Sequence, residues 1–305
     1  MPYDRIEPYF KMIRDAGMNV IRIAESTWST WEPKEGVFDF THLHRMLDCA
    51  AKYELKVIVG TPTYAIPSWL AKKYPDILAV THNGKELYGH RQNMDITNPD
   101  YLHHAQIIIE KLMEQVKDYD CVIGFQLDNE TKPYDTCSKY AQAKFVEYLK
   151  NEFPDIDEFN REFGLDYWSN RVDDWDAFPD IRGTINMSLD AEYKKFQRKL
   201  VTDFFAWQAD IVKKYKRDDQ FITHNFDFEW HDYSYGMQPE VNQYEAAKCM
   251  DIAGCDIYHP SQSSLSGHEI TACGNIARGI KGDNYLVLET EAAGNHPWLP
   301  YPGQL

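Results

Sequence analysis

The sequence predicts an α/β chain folded as a (β/α)8 TIM barrel that lacks its first and last strands. Three observations predict it: short continuous Val/Ile/Leu runs recur along the chain, helical stretches alternate with them, and chemically useful residues (Glu25, Thr61, Glu130, Asn225, Tyr258, Glu289) stand at their carboxyl ends. Continuous apolar runs suit parallel strands buried on both faces. Polar residues at the carboxyl ends suit a barrel, whose site is built at that face. An open doubly wound sheet is the rival, but no Gly-rich phosphate loop follows any run.

Ile6, Tyr9, Phe10 and Ile13 lie at helical spacing, and Gly17 supplies a C-cap before the first strand, Asn19 to Ala24. Phe40 to Tyr53 reads as a helix leading into Lys56 to Thr61, a β-branched run stopped by Pro62. A longer helix, Pro99 to Tyr119, delivers the chain to Cys121 to Leu127, which is followed by Asp128, Asn129 and Glu130. A long stretch without a clear strand comes next, with amphipathic patterns from Lys139 to Glu152 and from Ala191 to Tyr215 and a Trp-rich connection between them. It reads as an elaborate loop region, so residues 1–305 are expected to form one catalytic domain. The alternation resumes with Gln220 to Phe226, Ile252 to Tyr258 and Tyr285 to Glu289, making six strands where a closed barrel takes eight. The chain is therefore expected to be a fragment.

The 305 residues are 43% hydrophobic and 26% charged, which suggests neither disorder nor a membrane span. A net charge of −16 repels phosphate backbones and leaves a neutral substrate such as a sugar undisturbed. The scattered cysteines form no C-x-x-C pair and read as free thiols, and the amino terminus has no apolar leader. A cytoplasmic protein with no nucleic-acid or membrane partner is expected.

Glycoside hydrolysis needs two carboxyl groups about one bond, one protonated and one ionised. Glu130 and Glu289 are the best pair, since each ends an apolar strand and would stand at the barrel mouth. If strand one is absent, they end strands four and seven. A lone Glu after a strand is ordinarily a solvated loop carboxylate, but Asn129 beside Glu130 adds an amide able to bind a sugar hydroxyl. Glu291 lies two residues beyond Glu289 and so on the same strand face, and periodicity does not choose between them. Aromatic residues crowd the same strand ends and loops. Trp31, Trp69 and Trp175 read as loop filling, whereas Tyr258 and Trp298 suit a sugar platform. The histidines, among them His224 and His259, show no metal-ligand spacing and read as surface or supporting residues, and no G-x-S-x-G elbow is present.

Several blocks together carry a family resemblance. Glu25 to Phe40 (ESTWSTWEPKEGVFDF), Gly60 to Pro75 (GTPTYAIPSWLAKKYP), Gly124 to Glu130 (GFQLDNE), Phe163 to Ser169 (FGLDYWS), Asp256 to Pro260 (DIYHP) and Leu286 to Glu289 (LVLE) occur in order. In these the chain resembles the family 42 glycoside hydrolases, the β-galactosidases. The resemblance implies a (β/α)8 barrel and retaining hydrolysis of terminal β-D-galactosides. By the family pattern Glu130 is the acid/base and Glu289, rather than Glu291, the nucleophile. Asn129 and Arg91 are ligands to galactose, with Tyr258 and Trp298 as further substrate contacts. No cofactor is implied. Many members bind zinc through a cysteine cluster, but here Asp95 and the solitary Cys137 stand in its place, so no metal is expected. A homotrimer is implied for a full-length protein only. Alternatives are a related glycosidase for β-glucosides or α-L-arabinopyranosides, and a non-catalytic carbohydrate-binding barrel.

Overall fold

The computed structural model describes residues 2–89, 94–183, 185–228, 240–258 and 267–290. Its strands are β1 (Val20–Ile23), β2 (Lys56–Gly60), β3 (Val80–Thr81), β4 (Gly84–Lys85), β5 (Val122–Gln126), β6 (Phe221–Thr223), β7 (Asn225–Asp227), β8 (Ala253–Ile257) and β9 (Tyr285–Thr290). Apart from the small antiparallel β3–β4 hairpin, all pairings are parallel, in the orders β1-β2-β5-β6 and β7-β8-β9. The run expected from Gln220 to Phe226 is thus two strands, parted at His224 alone. One joins the chain to the first sheet and the other to the second, as in the curved wall of a partial barrel.

The helices are α1 (Tyr3–Asp15), α2 (Trp28–Trp31), α3 (Thr41–Lys52), α4 (Ser68–Lys73), α5 (Pro99–Val116), α6 (Lys139–Glu152), α7 (Ile156–Glu162), α8 (Met187–Lys213), α9 (Gln243–Ala246) and α10 (His268–Lys281). Their starts are written in the sequence. Asn98 accepts from the backbone N–H groups of Asp100 and Tyr101 at 2.8 and 3.1 Å, with Pro99 at the first helical position of α5. Asn186 caps α8 in the same way, accepting from the N–H of Leu189 at 2.9 Å. Helices α5 and α8 pack together, with the buried rings of Tyr101 and Phe204 stacked across them at 6.2 Å. The Trp-rich connection closes on its own aromatic cluster, in which Phe159 meets Phe153, Phe163, Trp175 and Phe178. No helix among the described residues is long and apolar enough to cross a membrane.

Two register shifts bend the wall. Between β2 and β5 the pairing moves from Val57↔Val122 to Ile58↔Gly124, and between β8 and β9 from Cys255↔Val287 to Asp256↔Glu289. The second skips one residue of β9, so Glu289 comes level with Asp256. Next to it Gly254 lets β7 and β8 approach closely. A Cβ there would lie 2.4 Å from the His224 carbonyl oxygen and 2.6 Å from Leu288 Cδ1. Because backbone cannot retreat as a side-chain tip can, Gly254→Ala is expected to cost roughly 2 kcal/mol or more of stability, read as a lower urea midpoint.

Candidate active site

The strand ends bring together side chains far apart in sequence. Arg22 is the charged residue of the V-I-R-I run of β1, between isoleucines, and strand alternation turns it away from them. It donates from Nη1 to Gln126 Oε1 on β5 at 2.8 Å and from Nη2 to Glu289 Oε1 on β9, with Glu25 at 3.8 Å. Burial works against its charge, but Glu289, Glu25 and Asp256 more than offset this and raise its pKa. Glu289 has further donors. Asn225 Nδ2 reaches Oε1 at 3.2 Å, and the Tyr258 hydroxyl donates to Oε2 at 2.6 Å. Burial, then the Glu289 carboxylate, makes that phenol harder to ionise.

Asn225 joins the carboxylates. Its Nδ2 also lies 3.0 Å from Asn129 Oδ1 and 2.7 Å from Asp256 Oδ2, while its Oδ1 accepts the backbone N–H of Glu130 at 3.2 Å. One oxygen each of Glu130, Asp256 and Glu289 lie within 4.8 Å of one another. Glu130 and Asp256 are buried, and Glu289 is about one-fifth exposed.

The segment holding Glu130 is strained and pinned. Asp128 and Glu130 have φ of 48° and 43°, a left-handed conformation that costs a non-glycine residue roughly 1–3 kcal/mol. Asp128 holds it in place: its carboxylate accepts from Thr63 Oγ1 at 2.6 Å and Thr131 Oγ1 at 2.5 Å, and its backbone N–H donates to Thr61 Oγ1 at 2.6 Å. Thr61 in turn donates to Gln208 of α8 at 2.6 Å. Burial pushes the Asp128 carboxyl up to about 6, against the lowering by the two hydroxyls. His224 lies beneath, wholly buried between Phe205 and Phe226, with Nδ1 2.6 Å from the Leu127 carbonyl. It is not a surface residue, and burial drives its pKa down to about 3, which keeps it neutral.

Set against known proteins, the chain matches the glycoside hydrolase family 42 model, described as β-galactosidase, over residues 1–304. The chain belongs to glycoside hydrolase family 42. It is 28% identical to the β-galactosidase BgaA of Clostridium cellulovorans over 298 residues, which is 95% of this chain and 44% of that protein. It is also 28% identical to a β-galactosidase of Thermus thermophilus, over 98% of this chain and 48% of that one. The solved structure of Gan42B, a GH42 β-galactosidase, superposes with a TM-score of 0.90 at 24% identity, covering 98% of this chain and 45% of that one. The family 42 chain therefore spans about half the length of the relatives it matches, and its fold is the TIM barrel expected from the sequence.

Of the residues singled out in this family 42 chain, Glu130, Glu289, Asn129 and Tyr258 converge on one site. Arg91 and Trp298 lie outside the described residues, as do Glu291 and His259. Trp28, one of the aromatic residues near the first strand end, is no sugar platform. It is fully buried, and its Nε1 donates to Glu32 Oε2 at 2.8 Å. The place of the zinc cluster offers one carboxylate and one thiol, both engaged within the protein: Asp95 accepts from Thr97 and Ser138, and the Cys137 thiol donates to the Val80 carbonyl at 3.0 Å. Arg22 and Asp256 went unrecognised in the sequence, and Asn225 was noticed only as a strand-end residue. A lone ionisable group inside an otherwise apolar strand was the available signal, since such a group is buried only with partners.

Proposed function

We propose that this chain is the catalytic domain of a retaining β-galactosidase, with Glu289 as nucleophile and Glu130 as acid/base. The observation behind this reading is the short gap between the two carboxyl groups, with oxygens no more than 4.8 Å apart. Retaining pairs stand about 5–5.5 Å apart, whereas inverting pairs leave roughly 6.5–9.5 Å for a water molecule. Arg22 of β1, Asn225 of β7 and Tyr258 just past β8 hold Glu289, so its carboxylate meets the sugar already oriented.

In the first step Glu289 attacks the anomeric carbon, the bond to the leaving oxygen breaks, and Glu130 gives that oxygen its proton. In the second, water loses a proton to Glu130 and attacks the same carbon, which frees Glu289 and restores the β configuration. The Asn129 amide oxygen is taken by Asn225, so its N–H groups are the ones to offer a sugar hydroxyl beside the reacting carbon. A neutral sugar suits the net charge of −16, and six free thiols fit a reducing, cytoplasmic setting. The homotrimer of a full-length protein would rest on segments beyond those described.

Glu130→Ala tests this reading. With a nitrophenyl β-galactoside, whose leaving group needs little acid help, the first step should survive and release of the sugar should fail. Added azide should then restore turnover by roughly ten-fold or more and yield the β-galactosyl azide. A variant as fast as wild type without azide, or an α-azide product, would overturn the assignment, and a panel with nitrophenyl glucoside and arabinopyranoside tests the sugar.

A further inference from the structure

Asp256 has no part in the two-step scheme, yet it occupies the most restricted place in the site. It is fully buried on β8, level with Glu289, and no ion pair reaches it among the described residues. Oδ2 accepts from Asn225 Nδ2 at 2.7 Å, the shortest contact that amide makes, while Oδ1 is sealed from water without a hydrogen-bond partner. We infer that Asp256 is a positioning residue that works as an uncharged acid, fixing the Asn225 amide within reach of Glu289, Asn129 and the Glu130 backbone.

The geometry makes this form the favourable one. An ionised Asp256 would place a further charged carboxylate within 4.8 Å of the Glu130 and Glu289 carboxyl groups, with one oxygen buried and unpaired. Among the described residues Arg22 is the cation in this cluster, and its two arms are taken by Gln126 and Glu289. Among the described residues, the other titratable groups about Asp256 do not relieve it. Glu130 and Glu289 are like-charged when ionised. Tyr258 is committed to Glu289, and the Cys255 thiol points at the Leu286 carbonyl. Asp227, in register on β7, is paired with Lys132 at 3.1 Å. Burial first, and then the charges of Glu289 and Glu130, push the Asp256 carboxyl up to about 9.

The Asn225 amide has two hydrogens for three acceptors, so which acceptors it serves depends on the charge each bears. A neutral Asp256 carbonyl anchors Nδ2 without drawing it off Glu289. An ionised one would compete for the same hydrogens, since charged acceptors bind more strongly.

The inference rests on the retaining reading only for its kinetic part, so the test has two arms, both on the full chain. Infrared difference spectra of wild type against Asp256→Asn at neutral pH should show the carbonyl stretch of a protonated carboxylic acid lost in the variant, whether or not the chain turns over a galactoside. Loss of an ionised carboxylate band instead would overturn the inference. In kinetics with nitrophenyl β-galactoside, Asp256→Asn is expected to keep kcat within about ten-fold of wild type, with both limbs of the pH profile in place. Asp256→Ala, which leaves Asn225 unanchored, should lose roughly a hundred-fold in kcat with little change in KM. An Asp256→Asn variant as poor as the alanine, or with pH limbs moved by a unit or more, would contradict a neutral Asp256. So would one that failed to fold, since an amide nearly matches an uncharged acid in size and charge.

Discussion

Glu289→Gln is expected to lower kcat on a nitrophenyl β-galactoside by roughly ten-thousand-fold or more, because an amide cannot form the glycosyl ester of the proposed reaction. Binding should suffer far less. The amide oxygen can still accept from Arg22 and Asn225, which now meet Oε1, or from Tyr258, which meets Oε2, but it cannot serve both sides. A galactose-derived inhibitor should therefore bind within about ten-fold of its wild-type affinity, a loss near that of one hydrogen bond. The split between turnover and binding distinguishes a nucleophile from a scaffold residue. A Glu289→Gln chain with substantial activity would remove the residue from the chemistry.

Arg22→Met is the second large effect, with kcat expected to fall about a hundred- to a thousand-fold. Arg22 links β1 to β5 and β9 with two arms of one planar group, and methionine keeps much of its apolar stem but neither hydrogen bond. Glu289 would still be held by Asn225 and Tyr258, so the site should survive with Glu289 poorly aimed, and small misplacements of a reacting group cost on the order of a hundred-fold. Arg22→Lys keeps the charge without the fork and should recover part of the loss. If Arg22→Met stayed within about three-fold of wild type, the orientation of Glu289 would rest on the other two donors.

Much of the barrel was legible because strands buried on both faces leave continuous apolar runs. All six expected strands exist within a residue or two of their expected ends, apart from the division at His224. That break was hidden because Thr223, His224 and Asn225 are buried polar residues, whose local pattern says nothing of where the backbone leaves a sheet. The convergence of Glu130 and Glu289 could be anticipated from strand ends. The shift that sets Glu289 level with Asp256 could not, because register depends on pairing between segments and not on the pattern within one. The positive φ values at Asp128 and Glu130 were likewise invisible, as they are imposed by the threonines and Gln208 that pin the segment.

The E-P-K-E-G motif shows the opposite case, a family block whose meaning here is structural. Glu32 accepts from the Trp28 indole and the Gly36 N–H at 2.8 Å each, and its carbonyl accepts from Trp69 at 2.9 Å. Such a buried knot stabilises the loop after β1, and with it the approach to Glu25. Its residues resemble a site in composition, but their hydrogen bonds tie the loop to itself and to Trp69.

The central claim is that Glu289 bonds covalently to the sugar, and trapping that bond tests it most directly. Incubated with an activated 2-deoxy-2-fluoro-β-galactoside, the full chain should gain the mass of one fluorogalactosyl group, and peptide mapping should place it on Glu289. A label on Glu130 or Glu291, or an enzyme that turns over galactosides yet forms no adduct and releases the inverted sugar, would contradict the account.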